Sequence, residues 1–300
     1  MAWTEADITN GGLHGTLILT GNDSPAPVVL ILAGSGPVDR DGNLPGRPND
    51  SLKLLAHGLA DRGIGSLRID KRGVGESREV DLREEDLRFS TYVDDAISWL
   101  NVVAAYHNVS SIFILGHSEG SLVATLAVQK EKSVAGLVLL AGPGAPAAQI
   151  IARQLAATKV APVLQAESKR ISDSLVRGVA VQDVPPQLDA LYRPSLQNYL
   201  MSWLPLDPVA ELTRVTCPVL IVQGTTDVQI TTDDAHRLQA AAPRASLVVI
   251  DGMNHVLKNA PEDRDLNLAT YKDPHLPLAS GLIPAITAFV HDHEKVGVGP

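Results

Sequence analysis

The 300-residue sequence predicts an α/β fold, a mostly parallel, doubly wound sheet with a helical cap inserted into it. Three observations carry that expectation. Short continuous apolar runs (VVLIL, IFIL, LVLL, VLIV) recur along the chain, as in strands buried on both faces. Helix-patterned stretches alternate with them, which calls for right-handed crossovers and helices on both faces of the sheet. The alternation stops between Ala145 and Pro208, where no β-branched run occurs, and then resumes.

In chain order, residues 5–20 alternate around Asn10-Gly11-Gly12 and read as an antiparallel hairpin. Val28–Leu32 is a buried strand, followed by Gly34-Ser35-Gly36-Pro37 and a polar loop. A helix starts at Asp50/Ser51, carries Leu52, Leu55 and Leu59 on one side and closes at Gly63. Gly65–Asp70 is a strand that runs into the turn-rich Lys71–Ser77. Ser90–Tyr106 is helical, with Tyr92, Ala96, Trp99, Leu100 and Val103 on one side. Ile112–Leu115 is a strand, and Leu122–Ala127 belongs to the helix after it. Val134–Leu140 is a strand ending at Ala141-Gly142. A structureless loop from 145 to 208 would be unusually long, so this stretch is expected to be several helices. Cys217–Gln223 and Ser246–Asp251 are later strands. Thr231–Ala242 is a helix capped by Thr-Thr-Asp-Asp, and Ile283–His293 is a last helix. The domain expectation is therefore a core of 1–144 and 209–300 with a cap of 145–208.

Bulk properties narrow the function classes. The composition is ordinary for a globular protein, at 45% hydrophobic and 20% charged residues. The net charge of −9 argues against nucleic acid and anionic membrane as partners. A single cysteine, Cys217, rules out an internal disulfide framework and fits a reducing compartment; at the start of an apolar strand it reads as a buried, inert thiol. The first twelve residues have neither a basic nor an apolar signal region, and no apolar run approaches the ~20 residues of a membrane span. The expected location is the cytoplasm. No His/Cys cluster has metal-ligand spacing, and no cofactor is expected. A homodimer stays open as an assembly.

The chemistry centres on Gly116-His117-Ser118-Glu119-Gly120, between an apolar strand and a helix. A serine on so sharp a strand-to-helix turn is held in a strained backbone with its hydroxyl exposed. Serine needs a base, and the base needs an orienting acid. On a doubly wound sheet these lie on loops after later strands, at the carboxyl ends where Ser118 sits. Asp227 follows CPVLIVQG just past a strand end and is the candidate acid. Thr231–Asp234 already accounts for the next helix cap. His255 is the one histidine directly after a late strand and is the candidate base; His275, in LATYKDPHLPLA, is its rival. His117 adjoins the serine and is expected to pack or to make a structural hydrogen bond. The oxyanion donors are expected to be the backbone N–H groups of Glu119 and Ser35, with Gly34 and Gly36 as alternatives to Ser35. Pro37 has no N–H to give. The Glu119 side chain is expected to be solvated or to face the cap. The charges in Asp39–Asn43 and Lys71–Gly73, and Lys258, are expected to tie loops together rather than touch substrate.

With these residues assembled, the chain resembles the α/β-hydrolase superfamily along nearly its whole length. LILAGSGPVDRDGN, RIDKRGVGES, GHSEG, PVLIVQGTTD and GMNHVLK together are similar to a bacterial carboxylesterase branch with a GSGPxDRDGN loop, also described as serine-aminopeptidase-like hydrolases. The resemblance implies Ser118 as nucleophile, Asp227 as acid and His255 as base, Ser35 and Glu119 as backbone donors, and a helical cap between the sixth and seventh strands. The loop lacks the glycine run of HGGG-type lipases, and Ser at 118 departs from the Asp nucleophile of dehalogenase relatives.

The expected activity is hydrolysis of small carboxylic esters through an acyl-enzyme, with a small-molecule ester as the partner. Leu196, Tyr199, Leu200 and Trp203 in the cap, with Leu204, are candidates to line an acyl pocket; packing of cap on core is the competing role for each. The same triad could serve a thioesterase, lactonase, acyltransferase or aminopeptidase. Outside the enzymes, the fold could serve as a ligand-binding module with a vestigial triad.

Overall fold

The computed structural model describes residues 3–20, 24–80, 83–158 and 160–294. The elements follow in chain order. β1 (Trp3–Asn10) and β2 (Leu13–Thr20) form an antiparallel hairpin. β3 (Ala26–Leu32), α1 (Ser51–Ala60), β4 (Gly65–Ile69) and α2 (Phe89–Ala104) follow. Then come β5 (Val109–His117), α3 (Glu119–Lys130) and β6 (Gly136–Leu140). Between β6 and the next strand the chain is helical: α4 (Ala147–Ala157), α5 (Pro162–Val176), α6 (Asp189–Tyr192), α7 (Gln197–Trp203) and α8 (Pro208–Leu212). The chain closes with β7 (Val219–Gly224), α9 (Thr232–Ala241), β8 (Ser246–Ile250), α10 (Arg264–Ala269) and α11 (Leu282–His293).

The eight strands form one sheet in the order β1-β2-β4-β3-β5-β6-β7-β8. The hairpin joins β4 antiparallel, and β4 to β8 run parallel. The apolar runs divide by alternation, as side chains on a pleat must. Leu30, Ile114, Leu139 and Ile221 pack with Trp99 of α2, Leu122 of α3 and Leu238 of α9 on one face. Val29, Phe113, Val138 and Leu220 pack with Leu55 of α1 and Ile286 of α11 on the other. Burial on both faces is why these strands read as continuous hydrophobic runs rather than alternating ones. Among the described residues, no helix is long and apolar enough to cross a membrane.

One local expectation changes. Cys217 lies in a bend before β7 and is only half-buried, because Pro218 delays the strand to Val219. The α1 helix is not capped by the Asp50 side chain. Asp50 sits at φ 52° and accepts instead from Asn43 Nδ2 at 2.8 Å, while Asn49 Oδ1 takes Ser51 N–H at 3.0 Å.

Candidate active site

Ser118 joins β5 to α3 at φ 54°, ψ −123°, far from the basins L-residues favour. A residue held there carries strain on the order of 1–3 kcal/mol and persists only where its surroundings over-determine it. Here Ser118 N donates to Leu140 O at 2.9 Å, Ser121 N to Ser118 O at 2.9 Å and Ser121 Oγ to Gly116 O at 2.7 Å. The flanking glycines are steric necessities. A Cβ on Gly116 would sit 2.1 Å from Gly120 O, and one on Gly120 would sit 2.6 Å from Leu32 O. Ser118 also stands at the N-terminus of a twelve-residue helix, whose unpaired N–H groups favour developing negative charge beside it.

Asp227 and His255 leave neighbouring strand ends and meet. His255 Nδ1 donates to Asp227 Oδ2 at 2.8 Å, with both side chains buried. The other carboxylate oxygen accepts from Gln229 N at 2.8 Å and Ile230 N at 3.0 Å. Gln223 Nε2 adds a contact to Oδ2 at 3.2 Å. Burial pushes the Asp227 carboxyl up, but the His255 ring and these hydrogen bonds outweigh it, so the group stays below the usual carboxylate range. An ionised Asp227 only accepts, so neutral His255 carries its proton on Nδ1 and presents Nε2 as a lone pair.

His117, next to Ser118, anchors His255 through its backbone: its Nε2–H donates to His255 O at 2.8 Å, and the two rings lie 4.8 Å apart. Burial, then the nearby His255, lower its pKa from 6.5 to about 3, so it is a neutral donor. Among the described residues Ser118 Oγ makes no hydrogen bond, so the Ser118–His255 link is open in this state. Such links commonly tighten only with substrate in place.

A brace that the sequence did not suggest holds the two loops. The short helix α10 brings Asn267 Nδ2 to Thr226 O at 2.8 Å and Thr270 Oγ1 to Asn254 Nδ2 at 2.7 Å. Asn267 thus grips the Asp227 loop, and Thr270, just past the end of the helix, the His255 loop. Six helical residues with Asp265 and Asn267 among them offer little periodic signal; the Asp263 cap, which accepts from Asp265 N and Leu266 N, was the available clue.

Ser118 opens onto a cavity of about 470 Å³. Ser35 and Glu119 lie on its wall with Ser118, and so do Leu196, Tyr199, Leu200 and Trp203. Leu204 does not line it and is buried beneath, at 1% exposure. His275 is exposed in a turn, its N–H on Asp273 Oδ1.

The wall also carries charge. Lys71 Nζ donates to Gly34 O and to Gly36 O, the latter at 2.7 Å, and faces the Tyr92 ring at 5.7 Å. The Glu119 side chain is buried, not solvated: Tyr199 OH in α7 donates to its Oε1 at 2.7 Å. Burial raises the Glu119 pKa, against Lys71 and the Tyr199 hydrogen bond; burial lowers that of Lys71, against Glu119. Burial and the Glu119 charge push the Tyr199 phenol well above its usual value, which keeps it a donor. Glu84 is held by Arg193 and Ser195.

The other charged loops are tied to one another. Asp70 takes the N–H groups of Arg40, at 2.8 Å, and Glu76, at 3.0 Å. Arg68 bridges Asp41 and Glu5, and Arg72 grips Asp95 at 2.6 and 2.7 Å. Lys258 is fully buried and donates to Asp273 O at 2.6 Å.

Residues 50–262 match the family described as serine aminopeptidase, S33. The chain belongs to that family. It is an α/β-hydrolase. It is also similar to esterase EstD of Thermotoga maritima, 28% identical over 261 residues that make up 85% of this chain. The chain spans 60% of that esterase's length. Among solved structures, Est1E from Butyrivibrio proteoclasticus superimposes with a TM-score of 0.60 at 18% identity, over 96% of this chain and 98% of Est1E. Proline iminopeptidase from Mycobacterium smegmatis does so with 0.59 at 15% identity, over 97% and 99%. These two likenesses concern the fold alone.

Proposed function

We propose that this α/β-hydrolase cleaves small carboxylic esters, with Ser118 as nucleophile, His255 as base and Asp227 as the acid that orients it. Ser118 Oγ attacks the ester carbonyl carbon as its proton passes to His255 Nε2. The tetrahedral oxyanion lies against the N–H groups of Ser35 and Glu119, each worth about 3 kcal/mol to the transition state. The intermediate collapses, and the leaving alcohol takes the proton from His255. Water, deprotonated by His255, then attacks the acyl-serine, releasing the carboxylic acid and restoring Ser118. Residues 145–208 act as a cap, whose Leu196, Tyr199, Leu200 and Trp203 receive the acyl chain.

The observation that carries this reading is the buried Asp227–His255 hydrogen bond, clamped through His255 O to His117, the residue beside Ser118. The likeness to esterase EstD supports the ester as substrate. An aminopeptidase needs a free carboxylate to hold the substrate's amine. Among the described residues the cavity's two acidic side chains are both committed, Glu119 to Tyr199 and Glu84 to Arg193, and Glu167, Asp173, Asp183 and Asp189 do not line it. The test is turnover of p-nitrophenyl esters from acetate to palmitate beside aminoacyl-naphthylamides, with Ser118→Ala as control. Ester turnover greatest on short chains and lost in Ser118→Ala is expected. Faster naphthylamide turnover would favour the peptidase.

A further inference from the structure

Lys71 follows β4 and reaches across to the loop after β3. Its Nζ donates to Gly34 O and Gly36 O, the carbonyls on either side of Ser35. The described chain contains no cis peptide, so Gly34 C=O and Ser35 N–H point in opposite directions. An ammonium that holds Gly34 O therefore turns Ser35 N–H away from itself. That N–H has no acceptor among the described residues. The loop presses on the candidate nucleophile: a Cβ on Gly34 would lie 3.1 Å from Ser118 Cβ.

We propose that Lys71 is a positioning residue for the oxyanion site, holding the Gly34–Ser35 peptide in the orientation that leaves the Ser35 N–H available to the oxyanion formed at Ser118. The inference rests on the acyl-transfer reading above. Two carbonyl oxygens gathered on one side of a loop repel each other, and the ammonium between them removes that penalty. Without it the peptide can flip. A flip would present a carbonyl oxygen where the developing negative charge must sit. Glu119 joins the same arrangement from the helix side. Its N–H is the second proposed donor, while its buried carboxylate offsets the Lys71 charge and is held by Tyr199 of the cap.

The experiment uses Lys71→Met, with Lys71→Ala, which also lacks a donor, taking its place if the Met variant does not fold by circular dichroism. Each is measured for p-nitrophenyl butyrate turnover and for inhibition by an aryl trifluoromethyl ketone, which adds Ser118 Oγ to form a tetrahedral oxyanion. The expected result is a fall in kcat of about 100-fold, the scale of losing one oxyanion donor. KM should stay within threefold, and the ketone should weaken by the same factor as kcat/KM. A folded variant whose kcat drops less than threefold overturns the proposal. So does a fall in kcat with undiminished ketone affinity, since that loss would lie outside the oxyanion site. Ser118→Ala separates the two levels. If it turns over ester like the parent, the acyl-transfer reading fails; if it is inactive while Lys71→Met is unimpaired, only the Lys71 assignment fails.

Discussion

Asp227→Asn is the substitution whose consequence the hydrogen-bond geometry determines most completely. The Gln229 and Ile230 N–H groups, at 2.8 and 3.0 Å from Oδ1, require an acceptor. The new amide must therefore keep its oxygen there and turn its NH2 toward His255 Nδ1 and Gln223 Nε2, where Oδ2 accepted at 2.8 and 3.2 Å. Gln223 resists flipping to accommodate it, because its Nε2 also donates to Ile230 O at 2.9 Å. His255 can meet a donor only by making Nδ1 an acceptor, which moves its own proton to Nε2. In that tautomer it cannot take the Ser118 proton. The expected fall in kcat is about 10⁴-fold, or roughly 5.5 kcal/mol of barrier. The donor–donor contact with Gln223 should cost about 1–3 kcal/mol of stability. Steady-state turnover of p-nitrophenyl butyrate and urea unfolding read the two effects separately. A kcat within tenfold of the parent would refute the orienting role of Asp227.

Three further outcomes are expected. Unfolded His117 binds a proton below pH 6.5, while the folded one does so only near pH 3, so acid favours the unfolded chain across that window. Between pH 7 and pH 5 the parent should lose about 2 kcal/mol more unfolding free energy than His117→Gln; equal losses would contradict the neutral buried imidazole. Gly120→Ala puts a methyl 2.6 Å from Leu32 O and 2.7 Å from Ala33 O, both backbone atoms that cannot swing aside. It should cost about 3 kcal/mol, and an unchanged urea midpoint would refute the packing argument. The Arg193–Glu84 pair is more than a third exposed on both sides, so Arg193→Ala should cost under about 1 kcal/mol and move Tm by about 2 °C or less.

The sheet was legible because β3, β5, β6 and β7 are buried on both faces and leave unbroken apolar runs. The sequence also pointed to Ser118, Asp227 and His255, because each lies just after a readable strand. Contacts between distant segments stayed hidden. Nothing local to Glu119 says that Tyr199, eighty residues on, will donate to it, nor that Lys71 will reach the Gly34 and Gly36 carbonyls. The Glu119 side chain reads as either solvated or turned toward residues 145–208, because carboxylates are seldom buried; the second holds, with a phenol and an ammonium offsetting its burial. The α10 brace was missed for a different reason: six residues are too few to display a helical period.

A fluorophosphonate that traps an attacking serine gives the sharpest test of Ser118 as the nucleophile. Intact-mass measurement and peptide mapping should find one adduct per chain, on Ser118, appearing in step with loss of ester turnover and absent from Ser118→Ala. A protein that hydrolyses esters yet is unlabelled at Ser118, or is labelled and still active, would contradict the claim.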